Sequence, residues 1–329
     1  MIQRLLQFDA IKLFAIFLVC YGHCIQHLIA IEPYKNMGYM FIYSFHMPLF
    51  MMLSGYFSYK SMESSYRAFI SKNVIRLIVP CISWSLIICF IRILFHEDLD
   101  VLTLNSDLWF LKSLFICLVL TKLVFQEKGN RRWIVLVFTL LISQVFPYYR
   151  LCYMYPAFLL GCLIAFQKSI LKDVPFLLCS LVTYILMIVL FLDENFFDTH
   201  KITKIPEVGG VTAVVISRLI VIITGLSGAV FFITFANQIE VRWRESICKY
   251  GRYTLGVYLF QTIFIEHLLP FLCKPIEATQ QLLYLVIFPL ICILTIVIGS
   301  FLQEKMSNIS SVAKLFYGKY KSWIQIELP

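Results

Sequence analysis

The chain has 329 residues, 60% of them hydrophobic and only 14% charged, with a mean hydropathy of +0.83. A soluble domain carries about 25% charged residues, so composition excludes a soluble enzyme. It indicates an all-α integral membrane protein, because the apolar runs are long and do not alternate. The net charge of +9 lies in one set of loops and reads as membrane topology, not as a nucleic-acid-binding surface.

Hydropathy predicts a bundle of about ten transmembrane helices, near 10–31, 39–59, 74–95, 108–125, 133–147, 152–167, 174–192, 208–235, 252–272 and 281–302. No internal repeat, low-complexity tract or linker divides them, so residues 1–329 read as one transmembrane domain. The first run is too long for a cleavable signal, contains ionisable residues and lacks a small-residue cleavage site. Most of the 11 cysteines lie in apolar segments and none forms a CxxC pair, which suits small apolar filler.

The first span holds Asp9, Lys12, His23 and His27. Ionisable groups at membrane depth are expensive and mark functional sites by default. Lys12 and His23 are about eleven residues, or three helical turns, apart. They therefore share a face, roughly 16 Å from each other along the axis. Lys12 and Asp9 also suit interfacial anchors, with Lys12 snorkelling to the surface. His27 reads as interfacial. Cys20, His23, Cys24 and His27 have ligand-like spacing, but no second cluster completes a site, so no metal is expected.

The second span reads FIYSFHMPLFMMLSGYF. His46 lies at about the depth of His23, counting about 1.5 Å per residue from the outer ends. Pro48 kinks this helix and frees a carbonyl, which suits either an ordinary membrane kink or a cavity wall. Lys72 and Arg76 follow on the cytoplasmic side. With Lys12 they form a candidate cationic mouth for a phosphorylated ligand. Trp109 and Lys112 open the fourth span from outside, with Asp107 as a candidate partner for Lys112. Pro147-Tyr-Tyr-Arg150 reads as a tight hairpin or re-entrant feature between short fifth and sixth spans. Arg218 is deep in the eighth span and must face the bundle. In the ninth, Gln261 is a buried polar group that needs partners, and Glu266 and His267 follow it.

Lys and Arg are concentrated in alternate loops: Arg4, Lys60, Arg67, Lys72, Lys122, Lys128, Arg131, Arg132, Lys168, Lys172, Arg242, Arg244, Lys249 and the C-terminal tail. The opposite loops carry Glu97, Asp98, Asp100, Asp107, Asp193, Glu194 and Asp198. That asymmetry predicts both termini in the cytoplasm.

Taken together, these stretches resemble the bacterial membrane acyltransferases called acyltransferase family three, which O-acylate sugars of surface polysaccharides. The resemblance covers nearly the whole chain. It rests on Asp9-x-x-Lys12 with His23, FHMPLFMMLSGYF (45–57), Arg76-Leu-x-x-Pro80, LWFLKSLF (108–115), YPAFLLGCLIA (155–165) and RYTLGVYLFQ (252–261). The second piece is similar to the fucose-4-O-acetylase-like subgroup. The resemblance implies a multi-pass protein of the bacterial cytoplasmic (inner) membrane and an acyl-CoA donor, usually acetyl-CoA, used from the cytoplasm. It also implies a glycan or lipid-linked glycan acceptor, an essential His at His23, and basic residues at Lys12 and Arg76. The sequence departs from the family at Lys12, where Arg is usual, at Asn73, which replaces the first Arg of a paired motif, and at Gln261, where His is common. Lys12 keeps the charge but loses bidentate phosphate pairing.

On this basis the expected reaction is acetyl transfer to a sugar hydroxyl. His23 is the first choice for the general base, since imidazole has the matching pKa; a covalent acyl-His23 intermediate is the alternative left open. Asp9 orients Lys12, and Lys12, Lys72 and Arg76 hold the CoA phosphates. His46 holds the acceptor or steadies the oxyanion, with Trp109, Lys112, Arg150, Arg218 and Gln261 as substrate-binding candidates. The alternative class is a transporter or flippase for a glycolipid or polysaccharide, although no duplicated halves with matched broken helices are visible.

Overall fold

The computed structural model describes residues 6–95, 108–146, 148–197, 210–238, 245–273, 275–276 and 281–318. Among these residues the architecture is all-helical, and the one β-type contact is an isolated bridge between Ile29 and Ile276. A helix occupies each of the ten predicted positions. They are α1 (Leu6–Leu28), α2 (Met37–Ser58), α3 (Tyr66–Leu94), α4 (Trp109–Gln126), α5 (Asn130–Val145), α6 (Leu151–Phe166), α7 (Val174–Phe191), α8 (Gly210–Gln238), α9 (Thr254–Leu272) and α10 (Leu283–Ser307). A further helix, α11 (Ser310–Tyr317), follows. Seven of the ten are long and apolar enough to cross a membrane. The exceptions are α2, whose apolar run is interrupted by Ser44, His46 and Pro48, and the 16-residue α5 and α6.

The chain forms two compact units. The first takes Met1–Ala30, Ser65–Phe115 and Arg242–Pro329, hence α1, α3, the start of α4, α9, α10 and α11. Here α1 lies against α9 and α10. Tyr21 donates its hydroxyl to the Tyr284 carbonyl at 3.0 Å, and the Gln303 side chain accepts from the Gly256 amide at 2.7 Å. That second bond satisfies one of the amides that a helix start leaves unpaired. Trp84 donates to the Phe316 carbonyl at 3.0 Å and so fastens α11 to α3. Three stretches open into π-turns: Val74–Ile78 in α3, Thr262–Leu268 in α9 and Leu283–Ile287 in α10.

The second unit takes Ile31–Ser64 and Ile116–Val241. Its centre is the α2–α6 pair. A Cβ at Gly55 would overlap the Phe158 carbonyl, and one at Gly161 would overlap the Met52 carbonyl. Missing side chains let the two backbones touch, as small residues do between membrane helices. On the other side of α2, Gly225 of α8 packs on Pro48 and Gly228 packs on Phe45 and Tyr184. Lys122, predicted as a loop cation, lies instead within α4 and is 3% exposed, with its ammonium bonded at 2.6 Å to the carbonyls of both Met62 and Ser64. Arg4, Glu97, Asp98, Asp100, Asp107, Pro147, Asp198, Arg242, Arg244 and the C-terminal lysines beyond Lys314 lie outside the described residues.

Candidate active site

The first unit carries a polar cluster on the facing surfaces of α1 and α9. His23 Nδ1 lies 3.4 Å from Glu266 Oε1, with both side chains about one-fifth exposed (19% and 20%). The same Glu266 oxygen accepts from Gln261 Nε2 at 3.0 Å, and Gln261 Nε2 also donates to Thr262 Oγ1 at 3.1 Å. Gln261 is fully buried; Glu266 and Thr262 satisfy its amide nitrogen, whereas its buried Oε1 makes no hydrogen bond. One turn along α1, the His27 ring stacks on His23, with centroids 5.8 Å apart and planes 15° from parallel. The neighbouring His267 is 5% exposed.

The π-turn makes this cluster. In an α-helix, residues five apart point about 140° away from each other. A π-helix bonds i to i+5 and brings such residues into line. Gln261 and Glu266 are five apart and meet only because Thr262–Leu268 is wound this way. Glu266 was visible in the sequence as a carboxylate within an apolar run, but a regular α-helix gives no reason to put it beside Gln261.

Elsewhere in the first unit, the Asp9 carboxylate is 5% exposed and lies 3.6 Å from Arg252 Nε. A Cβ at Gly251 would overlap the Asp9 carbonyl, so the chain before α9 rests directly on the start of α1. Lys12 is half-buried, while Lys72 and Arg76 are exposed. Arg76 is inside the π-turn of α3, and the backbone of Gly318 packs against it at φ +61. Next to that contact, burial pushes the Tyr317 phenol up to about 12. Asn73 is buried and bonds the Phe69 carbonyl at 2.9 Å, so it serves the helix itself. Trp109 and Lys112, both half-buried, open α4, where the Trp109 ring meets Phe110 edge-on at 6.2 Å.

The second unit has a cavity of its own, with a volume of about 130 Å³. Tyr34, Tyr43, Tyr153, Phe197 and Arg150 line it together with Ser44, Met47 and Pro48. Arg150 and Tyr149 both adopt left-handed backbone, at φ 52 and 57. Such conformations are costly for residues with a Cβ and cluster at functional sites. They turn the chain from α5 into α6. In the same unit, His46 is 1% exposed, with Nδ1 2.7 Å from the Ile42 carbonyl and its ring 4.6 Å from that of Tyr43. Half-buried Arg218 donates to the Gln144 carbonyl and so ties α8 to the end of α5.

The all-helical architecture, with seven helices long and apolar enough to cross a membrane, defines the class as a multi-pass membrane protein. The chain belongs to the acyltransferase family: the family model described as an acyltransferase domain matches residues 5–303, nearly the whole chain. It is 29% identical over 186 residues to the nodulation protein NolL of Sinorhizobium fredii (strain NBRC 101917 / NGR234), covering 50% of this chain and 49% of that protein. The nodulation protein NolL of Mesorhizobium japonicum (strain LMG 29417 / CECT 9101 / MAFF 303099) matches equally, at 29% identity over 50% and 48%. The chain thus spans about half the length of the curated relatives it matches. No solved structure matches it.

Proposed function

We propose that the protein is a membrane O-acetyltransferase of the bacterial cytoplasmic membrane. It moves an acetyl group from acetyl-CoA to a sugar hydroxyl of a surface polysaccharide or its lipid-linked precursor. Family membership supports acyl transfer. The observation that carries the reading is the His23–Glu266 pair. A carboxylate facing Nδ1 holds the proton there and leaves the Nε2 lone pair available, which is how a second group orients a catalytic imidazole. In the proposed step, His23 Nε2 takes the hydroxyl proton as the oxygen attacks the thioester carbonyl. The new C–O bond forms, the C–S bond breaks, and the proton passes to the departing CoA sulfur. Gln261 positions Glu266 through the 3.0 Å bond.

Lys12, Lys72 and Arg76 belong to the same unit as His23 and are assigned to the CoA phosphates, with Asp9 and its partner Arg252 steadying the start of α1. The aromatic cup of the second unit has the lining of a sugar-binding site, since aromatic faces and a few polar groups suit a sugar ring. Arg150 is its charged lining residue. Enclosed His46 packs edge-on against the ring of Tyr43 and so supports it. Trp109, Lys112 and Arg218 complete the proposed substrate-binding set. We read the two units as one functional domain, with ten crossings and both termini cytoplasmic.

The test is acetyl transfer by purified protein, using labelled acetyl-CoA with and without a lipid-linked glycan extract, beside His23→Ala. Label entering glycan with the parent protein and not with folded His23→Ala supports the assignment. Near-normal transfer by His23→Ala refutes His23 as the base. Absence of label with both, given folded protein and a competent acceptor, favours glycolipid transport instead.

A further inference from the structure

The pair that the proposed reaction uses is part of a larger arrangement, because one ligating atom from each of His23, His27 and Glu266 lies within 4.8 Å of the other two. We propose that these three residues form a zinc site, and that zinc bound there switches the enzyme off. The inhibitory half rests on the reading of His23 as the base; the site itself rests on geometry alone.

His23 and His27 are four residues apart on one continuous helix, the spacing by which two imidazoles present nitrogens to a single ion. Glu266 comes from a different helix and supplies the charged third ligand. Two histidines and a glutamate with a fourth position open is a familiar zinc donor set. The dimensions suit the ion. Zinc bonds of about 2.1 Å place tetrahedral ligands about 3.4 Å apart. His23 and Glu266 are already 3.4 Å apart, and the 4.8 Å limit on the remaining legs closes with side-chain movements of under about 1 Å each. A separate observation points the same way. His27 Nε2 is buried and makes no hydrogen bond. A buried ring nitrogen without a partner is costly unless something fills its lone pair. All three residues are partly exposed.

The consequence for catalysis follows from the chemistry of imidazole. Whichever nitrogen of His23 binds zinc, the other carries the proton, and the ring no longer accepts one. The Glu266 oxygen is also withdrawn from its orienting role. Zinc therefore competes with the reaction for the same lone pair, while His27 serves the metal alone.

The experiment uses tag-free full-length protein in detergent, with Cys179→Ser and Cys273→Ser removing two exposed thiols that would bind zinc independently. Zinc is titrated against a chromophoric chelator, and cobalt(II) is followed by its visible absorption. One metal per chain is expected. His27→Gln and, separately, Glu266→Ala should each weaken binding at least about tenfold. Gel filtration and thermal unfolding establish that each variant is folded, and two variants on different helices guard against the loss of either. Saturating zinc should lower acetyl transfer at least about tenfold in the parent, whereas His27→Gln should turn over normally and resist zinc at that concentration. Absence of binding at about 100 μM zinc, or unchanged affinity in both folded variants, overturns the site. Stoichiometric binding with undiminished transfer keeps the site but overturns the inhibition. Loss of transfer in His23→Ala without zinc tests the base by itself, so the two failures are distinguishable.

Discussion

At the scale of single residues, one carboxylate oxygen of Glu266 lies between an imidazole and an amide in the proposed site. Glu266→Gln keeps the side-chain volume and removes the charge facing His23. It should lower turnover by about 10²-fold, within the range of positioned acid–base groups, and leave the KM for acetyl-CoA close to that of the parent. Steady-state kinetics with varied acetyl-CoA measures both. A KM rise with turnover intact would mean that Glu266 serves binding. Arg150 offers a second test, because its φ of 52 favours glycine. Arg150→Gly should hold or raise the thermal midpoint through relief of backbone strain, by up to about 1 kcal/mol, while acceptor affinity falls. A variant as active as the parent would remove Arg150 from the acceptor site.

At the scale of elements, the second unit depends on close helix contact at its glycines. Gly55→Leu or Gly161→Leu puts side-chain atoms where the partner backbone already lies. Each should cost more than about 3 kcal/mol, seen as a lower thermal midpoint or loss of folded protein in detergent. Lys122→Met tests a different joint. It leaves the buried carbonyl of Met62, and that of Ser64, without their ammonium partner, and should cost about 1–3 kcal/mol. The π-turns are the other device at this scale. They shift the register of α3 and α9 within each helix and re-aim Arg76 and Glu266 without breaking either.

At the scale of the whole molecule, the exposed apolar side chains of α3 and α7, among them Ile82, Leu86, Phe90, Leu178, Val182 and Val189, suit contact with lipid. Seven helices pass as crossings on length and hydropathy, whereas ten positions are helical. The parity of the two counts differs, so the location of the C-terminus decides between them. With ten crossings, a C-terminal reporter active only in the cytoplasm should be functional whenever an N-terminal one is. An opposite location of the two ends would refute the proposed topology.

The sequence by itself determined the class and the ten helical positions, and it singled out the polar residues proposed for the site. A low charged fraction and long apolar runs leave few alternatives to membrane helices, and ionisable residues such as His23 and Arg218 stand out because their burial needs a reason. Short-range pattern also made α5 and α6 recognisable as short. Tertiary structure alone decided which polar residues meet. Helical periodicity gives a residue's face but not the helix opposite it. It cannot anticipate a π-turn, whose extra residue per turn reverses the expected relation between Gln261 and Glu266. Nor could loop counting show that Lys122 is buried, because that depends on Met62 and Ser64 arriving from a distant turn with two carbonyls to satisfy. Composition and period are local properties of the chain. The pairing of His23 with Glu266, residues from opposite ends of the sequence, exists only after α1 and α9 have packed.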